Sequence, residues 1–342
     1  MSKSSLPIVD LSQFREVSTR SSFVAELRDV LYDHGFFYLT GHAVAPELTA
    51  RVIEVSQQFF ALPEEDKLAI EMVKSRHFRG YNRVGFELTG GKKDWREQVD
   101  FDTDKPALDL KAGDAPWKRA IGPNQWPEAL PELRDVILKY QAEATRVGRE
   151  VLKAIAVAIN HPEDTFESMF EPHPAQHLKI VRYPGSDLIE NQQGVGAHKD
   201  GGLITILLND HNPGLMVQTS TGEWIEAPPI PGLFIVNTGE LLEMITDGFV
   251  RADVHRVITP PAGVSRYSVP FFLGANLLAP LPQLRVAGDL RRAVRGITKD
   301  PTNPLFQDVG TNHLKARIRS HPDVARAHYK DVELRANGFA YV

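Results

Sequence analysis

The sequence of 342 residues contains no cysteine. This absence excludes disulfides, thiolate-bound iron–sulfur clusters, zinc sites built on cysteine, and cysteine nucleophiles. Any metal that the protein binds must therefore be held by nitrogen and oxygen atoms.

The chain also lacks an excess of basic residues and lacks long apolar runs. It has 39 Lys and Arg against 44 Asp and Glu, a formal net charge of −5, whereas nucleic-acid-binding proteins are typically basic. No run of about 18 apolar residues occurs, and the N-terminus has no apolar segment of the signal-peptide type. We therefore expect a cytoplasmic protein with no nucleic acid and no membrane as partner, while the oligomeric state stays open.

What is present is an ordinary globular composition, with 42% hydrophobic and 24% charged residues. In roughly the first hundred residues, strand-like runs alternate with segments of helical spacing, such as Phe23 to His34 and a segment that begins at Pro46. Residues 76 to 102 are rich in glycine and charge, which predicts a connecting arm. An apolar stripe predicts a long helix, from about Pro131 to Asn160, that buttresses a sheet.

From residue 176 onward, short β-rich runs separated by turn residues are typical of a sandwich, jelly roll or barrel. The predicted strands are His177 to Tyr183, Leu203 to Leu208, Leu215 to Gln218, Trp224 to Ala227, Leu233 to Val236, Val254 to Ile258, and Ser268 to Leu273. We expect a mainly β fold with flanking helices. Its parts are an N-terminal mixed α/β region (1–125), the long helix (126–175), the β core (176–280) and a C-terminal helical and loop tail (281–342) that could close over the barrel mouth as a lid.

The most informative motif is His198-Lys199-Asp200. In an extended segment, residues i and i+2 point to the same face, so His198 and Asp200 can aim an imidazole and a carboxylate at one point. His255 lies in a second β-like run, 55 residues beyond Asp200. Two histidines and one carboxylate form the facial triad of non-haem Fe(II) oxygenases, which leaves coordination positions open for a co-substrate and dioxygen.

Arg266 and Ser268 share one face of the strand that follows a turn near Pro261. A planar guanidinium and a hydroxyl are suited to bind a carboxylate through bidentate, charge-assisted hydrogen bonds. A hairpin is expected to join this strand to that of His255, which would bring the two groups close to the metal.

Strand parity also indicates candidate walls of a substrate pocket. Pro270 and Phe272 continue the face of Arg266, and Leu207 lies on the strand after the Asp200 loop. For each of these residues, packing in the core is the alternative.

These motifs, with Lys179 to Pro184 upstream and Pro213 to Val217 between them, resemble those of the isopenicillin N synthase-like iron/2-oxoglutarate-dependent dioxygenases. The resemblance covers nearly the whole chain, because Pro7 to Asp10, Phe59 to Pro63 and Arg79 to Tyr81 are similar to the family's N-terminal region. It implies a double-stranded β-helix, or jelly roll, whose two sheets hold the iron between them.

The resemblance also implies site residues. His198, Asp200 and His255 would be the iron ligands, and the pair of Arg266 and Ser268 would hold the distal carboxylate of 2-oxoglutarate. Tyr183, immediately before Pro184, lies at a position where the family often has a phenol that reaches the same carboxylate. A buried structural tyrosine is the alternative for that residue.

The implied reaction oxidises a C–H bond of a small-molecule substrate, with Fe(II), 2-oxoglutarate and O2 as cofactors and with release of succinate and CO2. Two alternatives stay open. One is an isopenicillin N synthase-type oxidase that does not use 2-oxoglutarate, and the other is a metal-binding jelly-roll protein without redox function. The substrate is not identified, although Arg79, Asn82 and Arg83 could meet a polar or anionic substrate or form a solvated charged loop.

Overall fold

The computed structural model describes residues 5–188, 193–282, 284, 286, 290, 295–297, 303–335 and 338–341. Its strands are β1 (Ile8–Asp10), β2 (Phe36–Thr40), β3 (Gly80–Asn82), β4 (Leu88–Thr89), β5 (Lys92–Lys93), β6 (Glu97–Phe101), β7 (Ala175–Pro184), β8 (Gln193–His198), β9 (Ile204–Asn209), β10 (Leu215–Gln218), β11 (Trp224–Glu226), β12 (Phe234–Thr238), β13 (His255–Ile258), β14 (Ser265–Gly274), β15 (Val332–Arg335) and β16 (Gly338–Tyr341). Its helices are α1 (Ser12–Arg15), α2 (Val17–Asp33), α3 (Pro46–Phe60), α4 (Glu64–Ala69), α5 (Glu132–Ala158), α6 (Glu240–Ile245), α7 (Val309–Ser320) and α8 (Pro322–His328).

Two sheets form the core of the fold. The large sheet has eight strands in the order β1-β2-β12-β9-β14-β7-β6-β3, and the small sheet has four in the order β11-β10-β13-β8. Apolar side chains of both sheets pack in one cluster, with Tyr38 and Val181 from the large sheet and Val195 and Val217 from the small one. This arrangement is a jelly roll, and it confirms the predicted fold class.

The long helix α5 lies against the outer face of the large sheet. The prediction of such a helix is confirmed, with 27 residues between Glu132 and Ala158. At Gly148 the helix approaches the sheet closely, because a Cβ atom there would lie 2.7 Å from Cδ2 of Leu273. On β14, Val269 and Phe271 pack in this outer core. The alternate residues of the strand, such as Ser268 and Pro270, therefore point into the space between the sheets.

The expectation of a connecting arm at residues 76–102 is wrong for part of that segment. The strands β3 and β6 form one edge of the large sheet, with Asp100 of β6 opposite Lys179 of β7. All five residues of β6 are buried. Val99 packs in the outer core, whereas Gln98 and Asp100 point to the opposite, inner face. Because those inner residues are polar, the hydrophobic pattern does not reveal the strand.

The predicted hairpin between the strands of His255 and Arg266 is also wrong. The first residue lies on β13 in the small sheet and the second on β14 in the large sheet. The connection between these strands therefore crosses from one layer of the jelly roll to the other, and the two candidate groups approach the interior from opposite sides.

The C-terminal tail contributes to the interior through α7. This helix is longer than the predicted helical piece, and Nη1 of Arg317 donates a hydrogen bond to Oδ2 of Asp100 at 2.8 Å. Residues 283, 285, 287–289, 291–294 and 298–302, on which part of the lid expectation falls, lie outside the described residues. The lid and the chain boundaries at residues 125, 175 and 280 stay predictions.

Two buried histidines near α7 are expected to make the stability of the folded state sensitive to acid. Burial lowers the pKa of His177 and of His321 to about 4. Between pH 6.5 and pH 4 the unfolded chain therefore binds protons that the folded chain excludes, so the folded state loses stability as the pH falls through this window. We expect the free energy of unfolding to be lower at pH 5 than at pH 7 by on the order of 2 kcal/mol for each imidazole.

Urea unfolding of the wild type and of His321→Gln at both pH values measures this effect. The variant should show a smaller difference between the two pH values, while substitution of the exposed His211 by Gln should leave the difference unchanged. Equal pH dependence in the wild type and His321→Gln would contradict the assignment to His321.

Candidate active site

The pairing of β8 with β13 brings two predicted metal ligands together. His198 lies directly opposite His255 in this antiparallel pair, and their ring centroids are 4.2 Å apart. Asp200 follows β8, and its Oδ1 atom lies 3.6 Å from Nε2 of His198 and 3.7 Å from Nε2 of His255. One ligand atom from each residue lies within 4.8 Å of the other two. The structure therefore brings together all three residues that the sequence selected.

Neighbouring groups orient the side chains of His198 and Asp200. Nδ1 of His198 lies 2.8 Å from the carbonyl oxygen of Gly196, which leaves Nε2 directed at the site. Asp200 receives hydrogen bonds at Oδ2 from Thr205 Oγ1 at 2.5 Å and Asn237 Nδ2 at 2.8 Å, which leaves Oδ1 for a further partner. Such supporting contacts are typical of metal ligands.

The pKa shifts of Asp200 and His255 favour an ionised carboxylate and a neutral imidazole. Burial alone would raise the pKa of the Asp200 carboxyl group, but the imidazoles of His255 and His198 outweigh it and hold that pKa well below its usual range. Burial and the neighbouring His198 lower the pKa of His255 to about 4. An ionised carboxylate beside a neutral imidazole fits a divalent cation bound by nitrogen and oxygen.

A close backbone contact fixes the loop that carries Asp200. The amide of Glu240 donates to the carbonyl oxygen of Asp200 at 2.7 Å. At Gly239, a Cβ atom would lie 2.2 Å from the carbonyl oxygen of Gly202 and 2.9 Å from that of Asp200. Only glycine fits at this position without displacement of the loop.

The predicted carboxylate clamp lies on the facing sheet. Arg266 is 1% exposed and stands opposite Tyr183 of β7, whose ring centroid lies 5.0 Å from the guanidinium carbon. Nη2 of Arg266 donates to Oδ1 of Asn209 at 2.6 Å. Its Nε and Nη1 atoms have no hydrogen-bond partner among the residues that the structure describes. Since buried donors are normally paired, an unpartnered donor of this guanidinium fits a carboxylate oxygen.

Sequence reasoning missed the residues that support the ligands and the clamp. Thr205 and Asn209 share the inner face of β9 with Leu207, and Asn209 stands opposite Ser268. Strand parity, extended by one residue past Leu208, is the signal that could have found Asn209. Asn237 carried no comparable signal, because its contact with Asp200 depends on the pairing of β12 with β9.

The three residues predicted to line a substrate pocket all lie on the inner face of the large sheet. Pro270 stands opposite Leu207, and Phe272 stands opposite Thr205. The ring of Phe272 stacks on His177, with 5.3 Å between centroids. Their contact with a substrate stays a prediction.

The charged residues of the N-terminal segment are divided between the interior and the surface. Arg79 is 3% exposed and forms an ion pair with Asp102, and Asn82 is also buried. Arg83 instead forms an ion pair with Glu71, and its side chain is 40% exposed. Of the three residues, Arg79 and Asn82 are therefore not part of a solvated loop.

Comparisons with known proteins identify the family. Residues 158–275 match the 2OG-Fe(II) oxygenase superfamily, and residues 6–129 match the N-terminal region of non-haem dioxygenases in morphine synthesis. Over 343 residues the chain is 38% identical to the 2-oxoglutarate-dependent dioxygenase frbJ of Dothideomycetidae sp. (strain 11243), with 95% of this chain and 92% of that protein covered. A homoarginine-6-hydroxylase of Arabidopsis thaliana is 35% identical over 294 residues, which are 83% of this chain and 81% of that protein.

Solved structures show the same fold. A 2OG-Fe(II) oxygenase family protein of Caulobacter crescentus has a TM-score of 0.72 and 27% identity, with 86% of this chain and 94% of that chain covered. A full-length Neurospora crassa protein in complex with alpha-KG has a TM-score of 0.74 at 23% identity, with 96% and 97% covered.

The chain belongs to the iron/2-oxoglutarate-dependent dioxygenase family. It is an oxidoreductase that uses Fe(II), 2-oxoglutarate and O2. The prediction of this activity is confirmed over both alternatives, the oxidase that does not use 2-oxoglutarate and the protein without redox function. Within the described part of the chain, no helix combines the length and apolarity needed to cross a membrane.

The contact at Gly239 yields a prediction about metal binding. We expect Gly239→Ala to displace the loop of Asp200 and to weaken binding of Fe(II) or Mn(II) by about 10-fold or more, because ligand placement sets metal affinity. Anaerobic calorimetric titration measures the affinity. Gly201→Ala is the matched control, since a Cβ atom at Gly201 has no neighbour within 4 Å; it should bind metal as the wild type does. Wild-type affinity in Gly239→Ala would show that the loop tolerates the displacement.

Proposed function

We propose that His198, Asp200 and His255 hold the iron of this dioxygenase. We further propose that Arg266, with Ser268 and the adjacent Tyr183, holds the distal carboxylate of 2-oxoglutarate. The observation that carries the proposal is the convergence of two Nε2 atoms and one carboxylate oxygen within 4.8 Å. The unpartnered donors of Arg266 on the facing sheet support the second part.

The spacing along β9 is compatible with these roles. Thr205, which supports the carboxylate ligand, and Asn209, which supports the clamp, are four residues apart on one face of the strand. This separation corresponds to about 13 Å at the rise of an extended chain. A five-carbon dicarboxylate and the side chain of Arg266 can cover that span between them.

When bound, Fe(II), 2-oxoglutarate and O2 supply the oxidation of a substrate C–H bond with release of succinate and CO2. The protein's own residues bind and orient 2-oxoglutarate and the substrate. Arg266 neutralises the far carboxylate in a site closed to water, and Asn209 fixes the plane of its guanidinium. Phe272 and Leu207 limit the directions from which a substrate can approach.

The substrate that we propose is a small polar molecule. Relatives named homoarginine-6-hydroxylase act, by their names, on an amino acid, and this supports a substrate of similar size and polarity for this chain. The cytoplasmic location and the lack of nucleic-acid and membrane partners stay predictions of the sequence.

Replacement of one ligand tests the metal site. We expect His255→Ala to lose tight Fe(II) binding and all succinate formation from 2-oxoglutarate, because two remaining ligands cannot hold the metal against water. The control is His211→Ala, an exposed histidine of the same jelly roll, which should keep both. Full metal content in His255→Ala would remove His255 from the site.

Replacement of the clamp separates co-substrate binding from metal binding. We expect Arg266→Ala to raise the KM for 2-oxoglutarate by about 100-fold, since a buried, charge-assisted contact is lost, while the Fe(II) content stays unchanged. Arg182→Ala is the matched control, because Arg182 lies next to Tyr183 with its side chain on the opposite face of β7, paired with Glu97. An unchanged KM in Arg266→Ala would overturn the assignment of the clamp.

A further inference from the structure

A buried polar surface covers the inner face of the large sheet at the β6–β7 edge. We call it the polar wall, and its members are Glu87, Arg96, Gln98, Asp100, Lys179 and Arg317. None of them is more than 9% exposed. Neither the metal site nor the 2-oxoglutarate clamp uses these residues.

Ion pairs connect the members of the polar wall. Nζ of Lys179 lies 2.9 Å from Oε1 of Glu87 and 3.4 Å from Oδ2 of Asp100. Arg317 donates to Asp100 at 2.8 Å. Nη2 of Arg96 lies 2.9 Å from Oε2 of Glu87. A charged surface that is closed to water in this way must be compensated by its own members or by a ligand.

Within the wall, the charges balance once Asp94 is included, whose Oδ2 lies 3.1 Å from Nη2 of Arg96. Burial alone would raise the pKa of the carboxyl groups of Glu87 and Asp100, but the surrounding cations hold both well below their usual range. Three carboxylates (Glu87, Asp94, Asp100) thus face three cations (Arg96, Lys179, Arg317). A ligand with a net charge would disturb this balance, whereas a ligand that carries both charges would not.

Two buried atoms of the wall have no partner among the described residues. They are Nε of Arg96, a donor on a cation, and Oε1 of Gln98, an acceptor. Gln98 lies on the inner face of β6, and Arg96 immediately precedes this strand, two residues before Gln98. Since an unpaired buried polar group costs free energy, this pair fits a ligand that offers an acceptor to Arg96 and a donor to Gln98.

The wall lies close enough to the metal site to bind the same molecule. Asp94 connects them, because its Oδ2 binds Arg96 while its Oδ1 accepts from the amide of Gly196, two residues before His198. Across the sheet, Gln98 stands opposite Val181, which stands opposite Ser268. At the usual spacing of strands, the backbone of β6 at Gln98 lies about 10 Å from that of β14 at Ser268.

We infer that the polar wall is the substrate-recognition site and that it binds a zwitterion, a free α-amino acid with its carboxylate on Nε of Arg96 and its ammonium group on Oε1 of Gln98. Nε2 of Gln98 donates to Oδ1 of Asp100 at 2.6 Å, which holds the amide in place. The inference rests on the proposed function, because it requires that the bound molecule presents a C–H bond to the iron. Arg96 and Gln98 are then specificity-determining residues, and Asp100, which accepts from the amide of Gln98, is a positioning residue.

The first experiment measures binding in the enzyme loaded anaerobically with Fe(II) and 2-oxoglutarate. The probes are the proteinogenic L-amino acids and L-ornithine, each compared with its decarboxylated amine and its N-acetyl derivative, and the readout is the shift of the weak visible charge-transfer band. We expect at least one free amino acid to bind, and the two derivatives of that amino acid to bind about 30-fold more weakly, because each leaves one buried group unpaired. Equal binding of either derivative, or no binding of any amino acid, would overturn the inference.

The second experiment uses matched variants of β6. We expect Asp100→Asn and Gln98→Leu to raise the Kd of the selected amino acid by about 10-fold or more, with the KM for 2-oxoglutarate unchanged. Glu97→Gln is the control, because Glu97 is equally buried on the same strand but bonds to Tyr81 and Arg182 on the outer face; its Kd should stay within about 2-fold of the wild type. Equal effects of Asp100→Asn and Glu97→Gln would mean that the wall has only a structural role.

Arg96→Lys separates substrate from co-substrate. A weaker affinity of this variant for the amino acid, with unchanged affinity for 2-oxoglutarate, supports the role of Arg96 in substrate binding. An unchanged affinity for the amino acid with a weaker affinity for 2-oxoglutarate would overturn it. Failure of the proposed function is distinguishable from failure of this inference. If the enzyme does not bind Fe(II) and 2-oxoglutarate as proposed, the charge-transfer band is absent before any amino acid is added.

Discussion

The carboxylate of Asp200 joins the two sheets of the jelly roll. Its backbone follows β8 of the small sheet, whereas its Oδ2 atom accepts hydrogen bonds from Thr205 and Asn237 of the large sheet. A buried carboxylate is costly unless it is hydrogen-bonded, and these contacts hold the loop after β8 against the large sheet. The second oxygen is left to face His198 and His255, the other two candidate metal ligands.

The inner face of the large sheet is divided between two kinds of chemistry. The strands β14 and β9 carry the clamp and apolar side chains, and the neighbouring strands β7 and β6 carry charged groups such as Lys179 and Asp100. Helix α5 packs against the outer face of β14, β9 and β7 in an apolar core. Because that outer core already fixes the strands, the inner face can carry polar residues whose burial costs stability.

Much of the fold and of the candidate metal site could be predicted from the sequence. The alternating strands after residue 176 and the apolar stripe of α5 follow from hydrophobic periodicity, which reports burial on one face. His198 and Asp200 could be paired because they are neighbours on one short segment. The edge strand β6 could not be found in this way, since Gln98 and Asp100 occupy its buried inner face and give the pattern of a solvated segment. The supporting Asn237 also lay beyond prediction, as its role depends on which strand adjoins β9.

The sequence by itself determined the class of fold and the chemistry available to a metal without cysteine, and it selected the candidate ligand and clamp residues. Only the tertiary structure decided that His255 and Arg266 approach from opposite sheets, and that buried charges from β6, β7 and α7 meet on one surface. The physical reason is that the pattern of the sequence shows only which residues are neighbours along the chain. The ion-pair partner of a charged side chain depends on the order and register of the strands. Arg317 and Asp100, which are 217 positions apart, become partners only through that order.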